Sequence, residues 1–262
     1  MDITTVTTAA RRHPWWTGAF LFAALIGLVV YLVMAPLPSA DTATAPSSST
    51  GEVISGEDIV AFGLTQDEVF NARSTLDGLR VAGKGTMTEY TGNREKLFGP
   101  AWTDKATGVA MAGNKCDTRN DILKRDLTDI VLDKDGCTVL SGRLYDPYTG
   151  KWIDFQRGRA TSSKVQIDHI IPLGNAWVTG APKLTQAQRV ALANDPRNLL
   201  AVDGPQNGSK SDRDASAWRP PNKKVWCYYA ASQIRVKSLY NLYVTQPEKD
   251  ALGDMLDTCP KR

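Results

Sequence analysis

Histidine is nearly absent from this chain: 262 residues carry two, His13 and His169. A zinc centre built from several imidazoles is thereby excluded, and so is a relay of two histidines, because the N-terminal pattern described below puts His13 on the far side of a membrane. Imidazole chemistry in the folded domain falls to His169 alone. The C-x-x-C spacing is missing too. Cys116, Cys137, Cys227 and Cys259 are widely separated, which argues against a zinc ribbon or a thioredoxin-like site. In an exported domain an even set reads as two disulfides, and pairing Cys116 with Cys137 and Cys227 with Cys259 keeps each closure local. Strong charge of one sign is also lacking. With 31 basic and 28 acidic residues the net charge is +3, too little to imply nucleic-acid binding by itself. Lys210, Arg213, Arg219, Lys223 and Lys224 do gather in one stretch, but Asp212 and Asp214 lie among them, so a solvated loop of mixed charge is an equal reading. No helix-turn-helix, zinc finger or internal repeat is present. The glycine-bearing segment VAGKGT has no following helix of the form that a phosphate-cradling loop requires.

Charge is wholly missing from residues 15–34, WWTGAFLFAALIGLVVYLVM. That run matches the roughly 20 residues a helix needs to cross a bilayer. Arg11 and Arg12 just before it predict a cytoplasmic tail over residues 1–14, a transmembrane signal anchor over residues 15–34 and an exported bulk. Secretion after signal cleavage is the alternative. Its apolar core is ordinarily shorter, about 7–15 residues, and the small-residue candidate Ala43-Thr44-Ala45 is followed by Pro46. Residues 35–55 form a Pro/Ser/Thr-rich linker with little to bury, residues 56–100 a helical and irregular extension, and residues 101–262 the main domain.

Within the extension, Val69, Ala72, Leu76 and Leu79 recur at helical spacing, and Thr65 with Glu68 makes a capping box. Residues 127–155 alternate as strands (LTDIVL, CTVLSGRLYD, KWIDF) around a Lys134-Asp135-Gly136 turn and the run Pro147-Tyr148-Thr149-Gly150, which predicts a small antiparallel meander. Thr185 and Gln188 cap a helix running to about Asn194, residues 225–243 read as helical, and Thr245 with Pro247 and Glu248 opens a final helix towards Cys259.

The chemistry concentrates between Lys164 and Asp212. The apolar run Val165 to Ile167 delivers Asp168 and His169 to a point where Pro172 breaks the strand. Asn198, Asn207 and Lys210 follow. Phosphodiester hydrolysis needs an activated water, a cation against the charge of the transition state and protection of the leaving oxygen. His169 suits the role of general base. Asp168 and the Asn207 amide oxygen are hard ligands, suited to Mg²⁺ or a similar divalent ion such as Mn²⁺ rather than zinc. Lys210 could hold phosphate as a point charge, and Asn198 could hydrogen-bond the loop that carries His169. Each residue also has a structural reading: Asn207-Gly208 is first a turn signal, Asn198 a turn residue after Asp195-Pro196, and Lys210 solvated surface. Convergence on one point decides between them.

The order D-H-I-I-P, then N-L-L, then N-x-x-K-S-D resembles the HNH, or ββα-metal (His-Me finger), endonuclease superfamily. It is closest to an exported bacterial branch related to the nuclease half of GmrSD-type restriction enzymes. The runs from Cys116 to Leu123, Arg125 to Thr128, Asp146 to Gly150, Asn194 to Leu199 and Ala201 to Gly204 are similar to that branch as well. The resemblance implies an α+β fold in which a first strand ends at Asp168-His169, a second spans about Leu199 to Val202 and a helix begins near Asn207, with a metal clamped between. It implies His169 as general base, Asp168 and Asn207 as metal ligands, Asn198 as the residue fixing the base-bearing loop and Lys210 as a phosphate contact. Arg119 and Arg213 are further candidates for the substrate, and Ser211 stands where the branch often has glycine. The expected activity is metal-dependent hydrolysis of DNA, or of RNA, outside the cytoplasmic membrane, with no protein partner inferred. A catalytically silent exported nucleic-acid- or envelope-binding module is the alternative. A cell-wall hydrolase using a Cys-His pair would need a free thiol.

Overall fold

A computed structural model describes residues 63–260 of the chain. The expected cytoplasmic tail, membrane anchor and linker lie outside the described residues. Among the described residues no helix is long and apolar enough to cross a membrane.

The architecture is α+β, with two small antiparallel sheets and helices gathered towards the C-terminus. Helix α1 (Gln66–Gly78) starts at a full capping box, Thr65 accepting from the Glu68 amide while the Glu68 carboxylate accepts from the Thr65 amide, and buries Val69, Ala72 and Leu76. After the short helix α2 (Arg94–Phe98), α3 (Thr118–Asp126) is capped by Asp117, whose side chain accepts from the Asn120 amide. Strands β1 (Thr128–Leu132), β2 (Val139–Asp146) and β3 (Lys151–Gln156) form the meander in the order β1-β2-β3. Strand β4 (Val165–His169) pairs with β5 (Leu199–Asp203) in a separate two-stranded sheet, with Ile167 opposite Ala201 and His169 opposite Leu199. Helices α4 (Leu173–Val178) and α5 (Gln186–Asn194) fill the connection between them. Helix α6 (Gly204–Lys210) follows β5 directly, and α7 (Trp226–Leu239) and α8 (Gln246–Leu256) close the chain.

Three apolar clusters hold these parts. One joins α1, α7 and α8 through Leu76, Ile234, Leu252 and Met255, a second packs α4 and α5 under Phe98, and a third joins α3 and the meander to the inner face of β4 and β5 through Ile122, Leu123, Phe155, Val165 and Ala201. Burying each large aliphatic side chain contributes about 1.5–3 kcal/mol, so the pair β4–β5 is held mainly by what packs on it. Disulfides join Cys116 to Cys137 and Cys227 to Cys259, leaving no thiol for a Cys-His hydrolase.

One local expectation needs correction. The last helix of the ββα unit begins at Gly204, three residues before Asn207, because the Asp203 side chain accepts from the Gln206 amide and Pro205 occupies a position where its missing N–H costs nothing. Asn207-Gly208 is therefore helix and not turn. Asn198 sits in a 3₁₀ turn, Pro196–Asn198, immediately before β5.

Candidate active site

Strand β4 carries Asp168 and His169 to the edge of a cleft of about 470 Å³, whose wall also includes Tyr90, Arg94, Trp102, Arg119, Asn207 and Asp212. Three devices hold its partner strand β5 in place. Arg125 of α3 donates to the carbonyls of Pro196 and Leu199, Asp126 accepts from the Ala201 amide, and Asp146 at the end of β2 accepts from the Asp203 amide. The runs around Arg125-Asp126 and Asp146 to Gly150 thus build the scaffold of β5 and α6, one element away from the chemistry. Gly204 permits the close approach of α6: a Cβ there would lie 2.1 Å from the Ser163 carbonyl oxygen.

His169 is buried, and its Nε2 lies 2.9 Å from the Ala193 carbonyl oxygen. A carbonyl can only accept, so Nε2 carries the proton and Nδ1 keeps its lone pair. Burial lowers the imidazole pKa to about 3, Arg94 and Lys210 adding to the shift, so the ring is neutral at physiological pH and a weaker base than a free imidazole. Trp102 stacks on it with centroids 5.7 Å apart and planes 13° from parallel. Asn198, fully buried, fixes the chain immediately after His169: its Oδ1 accepts from the Ile171 amide at 2.8 Å, its Nδ2 donates to the Leu192 and Ile171 carbonyls, and its own carbonyl accepts from the Ile170 amide.

Asp168 and Lys210 form a buried pair. Lys210 Nζ lies 2.8 Å from each Asp168 oxygen and 2.7 Å from the His169 carbonyl. The Tyr148 hydroxyl donates to Oδ2 of the same carboxylate. Burial pushes Asp168 above the usual carboxylate range and Lys210 below the usual amine range, and their contact opposes both shifts. Tyr148 is driven well above its ordinary value by burial and by the Asp168 charge, so it stays a donor. The structure thus places Lys210 beneath the site, as a counter-charge to Asp168 and a brace on the His169 backbone, with no exposed surface left for phosphate.

Asn207 donates from Nδ2 to Gln166 Oε1 at 3.0 Å, which orients its Oδ1 as a free acceptor. Asp168 Oδ1 accepts from Lys210 at 2.8 Å, and a carboxylate oxygen has capacity for more than one partner. One carboxylate oxygen and one amide oxygen on the same cleft are a hard donor pair that fits a Mg²⁺-type ion keeping several positions for water and phosphate. Among the described residues there is no group of three or more His, Cys, Asp and Glu side chains that could cage a metal. Arg119 lines the cleft and is tied to the carbonyls of Ser162 and Val165. Arg213 is exposed and does not belong to the cleft wall.

The profile of the GmrSD restriction endonucleases, C-terminal domain, matches residues 117–255. The chain belongs to that family. A protein of Arthroderma benhamiae bearing the name "Uncharacterized secreted protein" is 39% identical over 191 residues, covering 72% of this chain and 84% of its own length. No solved structure matches. The span shared with the GmrSD C-terminal domains runs from the cap of α3 to the end of α8 and contains Asp168, His169, Asn198, Asn207 and Lys210. Arg94 and Trp102 lie before it. Sequence reasoning missed those two because residues 83–102 show no periodicity, and missed Tyr148 because its Pro-Tyr-Thr-Gly setting reads first as a turn.

Proposed function

We propose that this chain is a divalent-metal-dependent endonuclease of the HNH (ββα-metal) type, hydrolysing phosphodiester bonds of DNA or RNA outside the cytoplasm. The observation that carries the reading is a neutral imidazole whose Nε2 is committed to a backbone carbonyl, on the rim of a cleft that also presents Asp168 and Asn207. The strand-strand-helix order β4, β5, α6 and the membership in a restriction-endonuclease family support it. The secreted name of the Arthroderma benhamiae relative supports action outside the cell, as does a leader with paired arginines and an uncharged run; membrane anchoring through residues 15–34 belongs to the same proposal.

In this reading His169 Nδ1 takes the proton of a water as its oxygen attacks phosphorus, and the bond from phosphorus to the leaving oxygen breaks. Asp168 and Asn207 would hold the Mg²⁺ or Mn²⁺ ion, which when bound supplies positive charge against the charge building on the phosphoryl oxygens. Arg119 and Arg94 bind the phosphate from the cleft wall. Asn198 is a positioning residue that holds the His169 loop, and Lys210 and Tyr148 hold the Asp168 carboxylate.

Plasmid cleavage by the purified full-length chain with Mg²⁺, with Mn²⁺ and with EDTA, beside His169→Ala, tests the proposal. Metal-dependent nicking is expected, with a loss of about 10²–10⁴-fold in the variant and an unchanged melting profile. A folded wild-type protein that cuts neither DNA nor RNA with any divalent ion would sink the nuclease reading in favour of a binding module.

A further inference from the structure

A second, smaller cavity of about 240 Å³ adjoins the cleft and shares Arg94, Trp102, His169 and Leu173 with it. Its character is different. Phe98, Pro100, Ala101 and Ala193 make much of the remaining wall apolar, with Glu95 and Asn194 as its other polar side chains. We propose that this compartment is a nucleobase subsite, seating the base of the nucleotide next to the scissile phosphate; the inference rests on the nuclease reading above.

Four observations point the same way. The volume falls below the roughly 300–1,000 Å³ of sites for drug-sized ligands and suits one planar ring system. The base-bearing histidine is itself part of the shared wall, so a ring in the compartment lies one nucleotide unit from a phosphate in the cleft. Arg94, exposed and with no ion pair among the described residues, stands at the junction, where a backbone phosphate would pass from one compartment to the other. The polar side chain deep in the apolar wall, Asn194, has both ends occupied, its Oδ1 accepting from the Thr118 hydroxyl and its Nδ2 donating to the Val190 carbonyl. Glu95 is the other polar side chain of this wall, so the subsite grips a ring mainly by stacking and apolar contact.

A base can enter only after leaving its stack, so the enzyme acts on single-stranded or locally opened nucleic acid. Residues 94–102, which supply most of this wall, precede the stretch matched by the family profile.

The test uses the full-length chain, Mg²⁺ or Mn²⁺, and single-stranded oligonucleotides carrying one abasic nucleotide at successive positions, with the cut ends mapped. Cutting at the linkage beside the abasic position is expected to fall by about 5- to 150-fold in kcat/KM, the stacking contribution of one base, on one side of the cut only. An Ala101→Trp variant, filling the compartment, is expected to cut base-bearing and abasic linkages at the same reduced rate. Cutting that ignores abasic positions overturns the subsite and leaves the nuclease reading standing. The absence of any cutting overturns both. The substrate-side series needs no protein variant, so misfolding of Ala101→Trp does not blunt the result.

Discussion

Ser211 ends α6 with φ +52° and ψ −137°, a region that L side chains rarely adopt and that glycine enters freely. It lines the cleft beside Asp212, so the strain sits where the site needs the chain to turn sharply after Lys210. Holding a side chain there costs of the order of 1–3 kcal/mol, part of which glycine would return as unfolded-state entropy. Ser211→Gly is therefore expected to raise the denaturation midpoint in urea by an amount worth about 1 kcal/mol, with nuclease activity retained; a lower midpoint would show that the hydroxyl makes an interaction more favourable than the relief of strain. Of the residues that can be named from sequence as chemistry, Asp168, His169 and Asn207 line one cleft and Asn198 is buried against the loop after His169, because each lies on or beside an element whose start or stop is written locally. Lys210 could not be placed that way. Whether a lysine in a short helix faces solvent or carboxylate depends on the packing of α6 on β4, and packing of that kind leaves no trace in spacing. Tyr148 was hidden for a related reason, since its partner is 20 residues away and no local pattern links the two.

At the scale of elements, the β4–β5–α6 unit depends on one missing side chain. With Gly204 against the Ser163 carbonyl, α6 lies close enough for Asn207 to reach Gln166 and for Lys210 to reach Asp168. A methyl group at 204 must push the helix away from backbone that cannot yield. Gly204→Ala is expected to destabilise by about 1–3 kcal/mol, the usual scale of overpacking, and to lower activity more than stability, because Asn207 on the cleft and Lys210 beneath it move with the helix. Gly208→Ala is the control. A Cβ there meets nothing within 4 Å, so a gain of about 0.5–1 kcal/mol in helix stability is expected. Thermal melts paired with plasmid cleavage separate the two outcomes, and equal effects at both positions would refute the close-packing account. The capped helices α1 and α5 and the strands of the meander were legible in sequence because caps, alternation and turns are short-range signals. Helix α3 was not singled out as a helix, although Asp117 caps it, because its composition is dominated by charged and amide residues with little apolar stripe.

The described domain is tied together by a second buried pair, between α7 and α8. Lys237 on α7 lies 2.9 Å from Glu248 on α8, both fully buried, and the same Nζ donates to Asn175 on α4 and to the Tyr243 carbonyl. Burial lowers the Lys237 pKa and raises that of Glu248. A pair of this kind adds little net stability against an apolar replacement, yet removing one partner strands the other charge. Lys237→Met alone is expected to cost about 3–5 kcal/mol, while Lys237→Met with Glu248→Leu recovers most of it; urea titrations of the three proteins decide, and a double variant as unstable as the single would mean that the hydrogen bonds to Asn175 and Tyr243 dominate. The Cys227–Cys259 bridge closes the same α7–α8 pair, so the helices that frame the core are joined both covalently and by charge.

The ammonium group beneath Asp168 carries one more implication. Because Lys210 already balances the carboxylate and grips the His169 backbone, the pocket acquires its shape without waiting for an ion to neutralise it. Domains whose ligands repel one another until a metal arrives fold only as fast as the metal is supplied. This chain is built the other way. In the proposed reading the domain therefore folds before any ion arrives, and added Mg²⁺ or Mn²⁺ would change its activity and not its fold.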